Sequence, residues 1–160
     1  MVNYNAELNR TRTLKYADSP ADNPLKGFVG NRGTGSHSDF PLSLEYAPMP
    51  LGSLIVGERQ YDWSLLEAYL DEIVSYRRQS IVSFYMDFPN KSIEKNDIPK
   101  YLIDKGVEIK EYIIDGLLTT NEKITCYSPD YNNPLVWEMA HDFIKALAQK
   151  YDGDSRIAQI

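Results

Sequence analysis

Ser80-Ile81-Val82-Ser83-Phe84-Tyr85-Met86-Asp87-Phe88-Pro89 is the stretch that decides the fold. It is β-branched and aromatic, with little polar interruption. A strand with one wet face alternates polar and apolar residues. A nearly continuous apolar run suits a strand covered on both faces, as in a parallel sheet. Pro89 and Asn90 end it.

Upstream lies a helix. Tyr61-Asp62-Trp63-Ser64 starts it, with Asp62 as N-cap and Tyr61 and Leu66 placed as a hydrophobic staple. Ser64 and Glu67 offer a rival capping box. Leu66, Tyr69, Leu70, Ile73 and Val74 make one apolar stripe, and Arg77 and Arg78 favour the C-terminal end of the dipole. Before this helix, Leu42-Ser43-Leu44-Glu45-Tyr46 alternates like a strand, and Pro48 and Pro50 are expected to stop it. Asn23 to Val29 reads as a short first strand, after an irregular polar arm over residues 1–22. Gly30, Gly33 and Gly35 follow in a surface loop. That loop lacks the Gly-Lys-Ser/Thr ending of a phosphate cradle.

Downstream, Pro99 to Asp104 reads as a short helix closed by Gly106. Residues 107–128 fit either an extended excursion or a hairpin. Asp130-Tyr131-Asn132-Asn133-Pro134 leads into a second long helix, with Trp137, Ala140, Phe143, Ile144, Leu147, Ala148 and Tyr151 as its apolar face. Asp152-Gly153-Asp154-Ser155 is turn chemistry, and Arg156 to Ile160 begins a buried strand. Strands separated by helices argue for α/β architecture with parallel crossovers.

Composition bounds the function. The 160 residues allow one domain, or part of a larger one. Seventeen Lys and Arg face 23 Asp and Glu, giving a net charge of −6. A phosphate backbone needs a basic surface, so nucleic acid is excluded as a partner. No apolar run approaches the roughly 20 residues of a membrane span, and Met1 to Arg10 has no apolar stretch fit for a secretion signal. An exported parent, secreted or periplasmic, would have its signal outside this chain. Cys126 is the only thiol, and the two His residues are far apart, which excludes a Cys/His zinc site. The residues call for no metal and no cofactor. Twelve Tyr, five Phe and two Trp supply rings for a core or for ligands with apolar faces and hydroxyls, such as sugars.

In parallel α/β folds, sites form at the carboxyl ends of strands. Glu45 with Tyr46, Asp87 with Tyr85, and Asp130 before the second long helix occupy such places. Paired carboxylates are what glycoside hydrolysis needs, but spacing alone does not bring these three to a working separation. Each also has a structural role open to it: Glu45 in a cross-strand ion pair, Asp87 in the turn at Pro89, Asp130 as an anion at the helix N-terminus or in an Asx turn. His37 sits in the Gly-rich loop, His141 within the helix, and Cys126 reads as a buried, inert thiol. Asn9-Arg10-Thr11 and Asn90-Lys91-Ser92 match the glycosylation pattern, which is frequent by chance.

Several of these stretches together carry a resemblance. They are Asn23-Pro24-Leu25-Lys26-Gly27-Phe28, Leu44-Glu45-Tyr46 with Pro50-Leu51, and Tyr61-Asp62-Trp63 with Glu67. Phe84-Tyr85-Met86-Asp87-Phe88-Pro89, Ile98-Pro99-Lys100-Tyr101-Leu102, Ser128 to Pro134 and Tyr151 to Ile157 continue the series. Over about residues 23–160 the chain resembles the N-terminal domain of a bacterial family known only as a domain of unknown function. Its members look like glycoside-hydrolase (β/α)8 barrels. More distantly, the layout is similar to β-galactosidase-type barrels.

The resemblance implies an α/β fold, the N-terminal half of a (β/α)8 (TIM) barrel truncated in its fourth strand. It implies a carbohydrate-active parent whose catalytic Glu pair lies past Ile160, with the C-terminal half of the same barrel as partner. No catalytic residue transfers to this chain. Glu45, Tyr46, Tyr85, Asp87, Asp130 and Tyr131 match and would line a saccharide pocket. Ser83 departs, because the family often carries Arg there. The competing class is a non-catalytic saccharide-binding or interaction module.

Overall fold

The computed structural model describes residues 28–33, 42–88, 97–115 and 123–160. The expected arm over residues 1–22, residues 23–27, Gly35, His37, Pro89, Asn90 and both glycosylation triplets lie outside the described residues.

The chain builds a mixed α/β domain on a parallel sheet. Strand β1 (Phe28–Asn31), β2 (Leu42–Pro50), β5 (Gln79–Tyr85) and β8 (Ile157–Gln159) lie side by side in that order. All three pairings are parallel. Helix α1 (Ser64–Ser75) joins β2 to β5, and α3 (Pro134–Tyr151) joins β5 to β8. No barrel closes among the described residues. Sequential parallel strands with intervening helices are also how half of a (β/α)8 barrel is laid out.

Three smaller elements sit between a strand's carboxyl end and the next helix. A small hairpin, β3 (Ile55–Gly57) with β4 (Gln60–Tyr61), follows β2. After β5 come the short helix α2 (Lys100–Asp104) and a second hairpin, β6 (Ile109–Asp115) with β7 (Lys123–Pro129). The segment that read as either excursion or hairpin is therefore a hairpin.

The two helices cover one face of the sheet. Ala47 and Met49 of β2 and Val82 of β5 pack on Leu66, Tyr69, Leu70 and Ile73 of α1 and on Val136, Met139, Phe143, Leu147 and Tyr151 of α3. Aromatic rings knit this layer. Phe143 meets Phe84 edge-on at 4.9 Å, and Trp63 lies between Phe143 and Tyr151 at 5.7 and 5.5 Å.

Four local expectations are corrected. Pro48 and Pro50 do not stop β2, which runs through both. The pairing with β1 ends at Tyr46, where the Arg32 N–H donates to the Tyr46 carbonyl. Past that point β2 has, among the described residues, β5 alone beside it, so a missing N–H is tolerated as on an edge strand. Val74 is exposed, because the α1 stripe is narrower than its spacing allowed. In α3 the stripe is rotated: Val136 and Met139 are buried, while Trp137 and Ile144 are 59% and 60% exposed. Finally, Ser64 and Glu67 form no capping box. Asp62 Oδ1 accepts from the Ser64 N–H, and Glu67 instead takes the Tyr151 hydroxyl, Arg156 and Lys150.

Other local readings hold. Asn133 caps α3 through its side chain, with Pro134 in the first turn. Gly106 adopts φ +83° after α2, the left-handed conformation that closes a helix.

Arg78 does not simply decorate a helix end. Helix α1 stops in a Schellman turn: the Arg77 N–H bonds to the Val74 carbonyl and the Arg78 N–H to the Ile73 carbonyl, with Arg77 at φ 56°. That turn directs Arg78 inward, where its guanidinium donates to Glu45 Oε2 at 2.9 Å. Glu45 is 2% exposed and Arg78 6%. Removing one partner strands a buried charge, whereas replacing both with apolar residues removes the desolvation penalty as well.

Glu45→Ala is therefore expected to destabilise by about 3–5 kcal/mol, and a Glu45→Met/Arg78→Met pair to recover most of that loss. Urea denaturation of the three proteins checks it. A single variant no less stable than the double would show that the pair does not hold the sheet.

Candidate functional site

Residues that alternate along a strand point to opposite faces. Glu45 and Tyr46 therefore diverge: Glu45 lies on the helix-covered side and Tyr46 on the other. The Tyr46 hydroxyl reaches Ser83 Oγ at 2.8 Å across the β2–β5 pair. Tyr85 follows Ser83 on that face, at the carboxyl end of β5, opposite Pro50. Asp87 lies two residues further on.

The β6–β7 hairpin closes over this strand end. Tyr112 on β6 donates its hydroxyl to Asp87 Oδ1. Tyr112 pairs directly with Cys126 across the hairpin. Tyr131, just after β7, faces the same carboxylate. Burial first, then the Asp87 charge, push its phenol above the ordinary range, against a hydrogen bond with Ser128 that pulls it down. Burial likewise raises Tyr112, helped by its hydrogen bond to Asp87 and by the charge there. Tyr85 is raised by burial and then by the Asp97 carboxylate. The Tyr85 and Phe88 rings lie 4.9 Å apart.

The result is one carboxylate among phenols at the carboxyl edge of a parallel sheet. Of the residues expected in a pocket, Asp87 and Tyr131 act on one another, while Tyr85, two residues before Asp87, shares its face of the sheet with Tyr46 and packs its ring on Phe88. Glu45 does not join them, being spent on Arg78. Asp130 does not show itself as part of the cluster either: its Oδ1 accepts from the Asn132 N–H, an Asx turn that shapes the entry to α3. Cys126 is buried and unpaired as a disulfide, and His141 is exposed on α3.

Tyr112, Phe88 and Ser128 were not singled out from sequence. The signal was there in part. Ile113-Ile114 and Ile124-Thr125 are β-formers on either side of a gap, which favours the hairpin over a loose excursion. Nothing local, however, says which face of that hairpin turns to β5.

Chemically, the cluster offers an acceptor carboxylate, hydroxyls that donate or accept, and flat apolar faces. No group of three or more potential metal ligands exists among the described residues. No described helix is long and apolar enough to cross a membrane. Comparison with known proteins adds no relative: no family model, curated protein or solved structure matches the chain.

Replacing Asp87 with Asn removes the charge that Tyr112 and Tyr131 feel. Both phenols are expected to ionise at lower pH in Asp87→Asn, by ultraviolet difference titration against the parent. Tyr69, whose phenol is set by burial first and by Ser80, Glu45, Arg32 and Glu72 rather than by Asp87, stays near its raised value of about 12. An unchanged titration curve would separate Asp87 from the two phenols.

Proposed function

We propose that this chain forms the N-terminal half of a carbohydrate-active, glycoside-hydrolase-like (β/α)8 barrel. On this reading it supplies one wall of a saccharide-binding cleft and is not itself catalytic. The observation that carries the reading is the meeting of Asp87 with the Tyr112 hydroxyl and the Tyr131 phenol just past the carboxyl end of β5 in a sequentially ordered parallel sheet. That end of the sheet is where barrel enzymes assemble their sites. Sugars present apolar ring faces and hydroxyl rims, and a carboxylate among phenols complements both.

The architecture supports the half-barrel part of the proposal. Among the described residues, β8 has β5 as its one neighbour. Beside it, Ile144, Leu147 and Ala148 of α3 and Ile157, Ala158 and Ile160 line an open cavity of about 420 Å3. A further strand and helix would extend the sheet and fill that apolar space, as a barrel requires.

Cleavage needs two carboxylates, one acting as acid and the other as base or nucleophile. Among the described residues, Asp87 is the carboxylate hydrogen-bonded within the cluster, and Asp97 acts on Tyr85 through its charge. This observation also favours the second reading, a saccharide-binding module that never cleaves its ligand.

The test is titration of the 160-residue chain with neutral oligosaccharides, followed by NMR shifts of tyrosine ring protons. Binding is expected, and Tyr131→Ala should weaken it roughly 2- to 10-fold, the value of one aromatic contact. Aryl glycosides should not be hydrolysed. Turnover lost in Asp87→Asn would show that the chain carries its own chemistry. Absence of any saccharide binding would remove the reading altogether.

A further inference from the structure

The turn of the β3–β4 hairpin is strained. Arg59, at its tip, has φ 55°. That left-handed conformation suits Gly or Asn and is disfavoured for a residue with a Cβ and a long stem. Strain of this kind persists where surrounding contacts hold it in place.

The contacts at this tip are ionic. Arg59 Nε donates to Asp142 Oδ2 at 2.6 Å, and a second guanidinium nitrogen lies 3.5 Å from Glu138 Oε1. The two carboxylates stand one turn apart on α3. Glu58 Oε2 accepts from Lys105 Nζ at 2.5 Å, just past the end of α2. Adjacent tip residues of opposite charge are thus tied to two different helices.

The base of the hairpin is fixed by other means. Ile55 is buried, the Asp62 N–H donates to the Leu54 carbonyl, and Tyr61 stacks on Trp63 at 5.4 Å. Salt does not screen such contacts, but it does screen exposed ion pairs. The side chains of Arg59, Glu58 and Glu138 are all more than half exposed. Beneath the tip lies a space of about 10 Å3, room for one water, bounded by Tyr61, Tyr101, Leu135 and Met139.

We propose that residues 56–60 are a flap, latched by Arg59 and Glu58 and released by rising ionic strength, over a recess of Tyr101, Leu135 and Met139. The structure shows its closed state. The backbone strain at Arg59 favours release and the ion pairs favour closure, so two small opposed effects set the balance. The flap lies in the connection that follows the carboxyl end of β2, and it does not depend on the saccharide reading.

The experiment measures access to the recess directly. A neutral nitroxide dissolved with the protein broadens NMR signals that it can approach, and the Met139 methyl, 4% exposed, reports the recess. Its broadening should rise roughly 2- to 5-fold between about 0.02 M and about 0.5 M sodium chloride, the worth of exposed ion pairs. Arg59→Ala should show the high-salt broadening at low salt and lose the salt response. Asp142→Asn should raise the low-salt broadening too, and the double variant should exceed neither single by much, since both remove one contact.

Arg59→Gly separates the latch from the turn. It relieves the strained φ and removes the guanidinium together. An open recess in this variant supports the ionic latch; a recess as closed as in the unaltered protein overturns it. The Leu70 methyls, 0% exposed, guard against a folding defect and should not respond to salt or to any of the variants. A salt-independent Met139 signal in the unaltered protein overturns the proposal, as does an equal response at Leu70, which would mark loosening of the whole core.

Discussion

The Glu45–Arg78 ion pair sets the register on which the rest of the sheet depends. A strand repeats every two residues, so a slip of one exchanges its two faces. Glu45 and Arg78 prevent that slip. Both are buried on the helix side, and each would be an uncompensated charge in any other register. The Schellman turn after α1 delivers Arg78 to this position before β5 has begun. Helix termination, strand register and charge burial are thus a single event. Arg78 Nε, in the pair itself, and Ser43 Oγ, two residues before Glu45 on β2, are buried with no hydrogen-bond partner among the described residues. The pair accordingly specifies an arrangement more than it adds stability.

With Glu45 turned to the helices, Tyr46 must face the other way, and Ser83 and Tyr85 share that side in register. The open face inherits hydroxyls and rings, while the covered face takes Ala47, Met49, Val82 and Phe84. Parallel pairing then brings the carboxyl ends of β2 and β5 to one edge, where the chain makes its long excursions. A hairpin of two strands is marginal alone. The β6–β7 hairpin is held by burying Ile124 and Cys126 and by the Tyr112–Asp87 bond. Asp87 is therefore the acceptor that ties the β6–β7 hairpin to the end of β5.

Much of the scaffold was legible in sequence, because it rests on local rules. The continuous apolar run around Ile81–Tyr85 marked the central strand, Asn133-Pro134 marked the start of α3, and Gly106 marked the end of α2. What was not legible depended on partners distant in sequence. Pro48 and Pro50 read as strand breakers because nothing local says that β1 stops pairing at Tyr46. Trp137 and Ile144 read as core because helical spacing fixes the width of a stripe more firmly than its direction. Arg78 read as a dipole partner because its true partner lies 33 residues upstream.

The candidate site shows the same division. The rule that parallel sheets carry function at their carboxyl ends points to Tyr85, Asp87 and Tyr131. Glu45 fitted that rule by residue type but not by parity. It sits one residue from Tyr46, and one residue is the whole difference between the open face and the core. Tyr112 failed the rule for the opposite reason. It belongs to no strand of the parallel sheet, and the contact that matters joins it to Asp87 across 25 residues. Strand parity and the folding-back of inserted hairpins thus decide which acids and rings meet. An acid at a strand's end becomes a site only when its face is open and an excursion returns to it. The returning hairpin reaches Asp87 through Tyr112, whereas Glu45 is buried against Arg78.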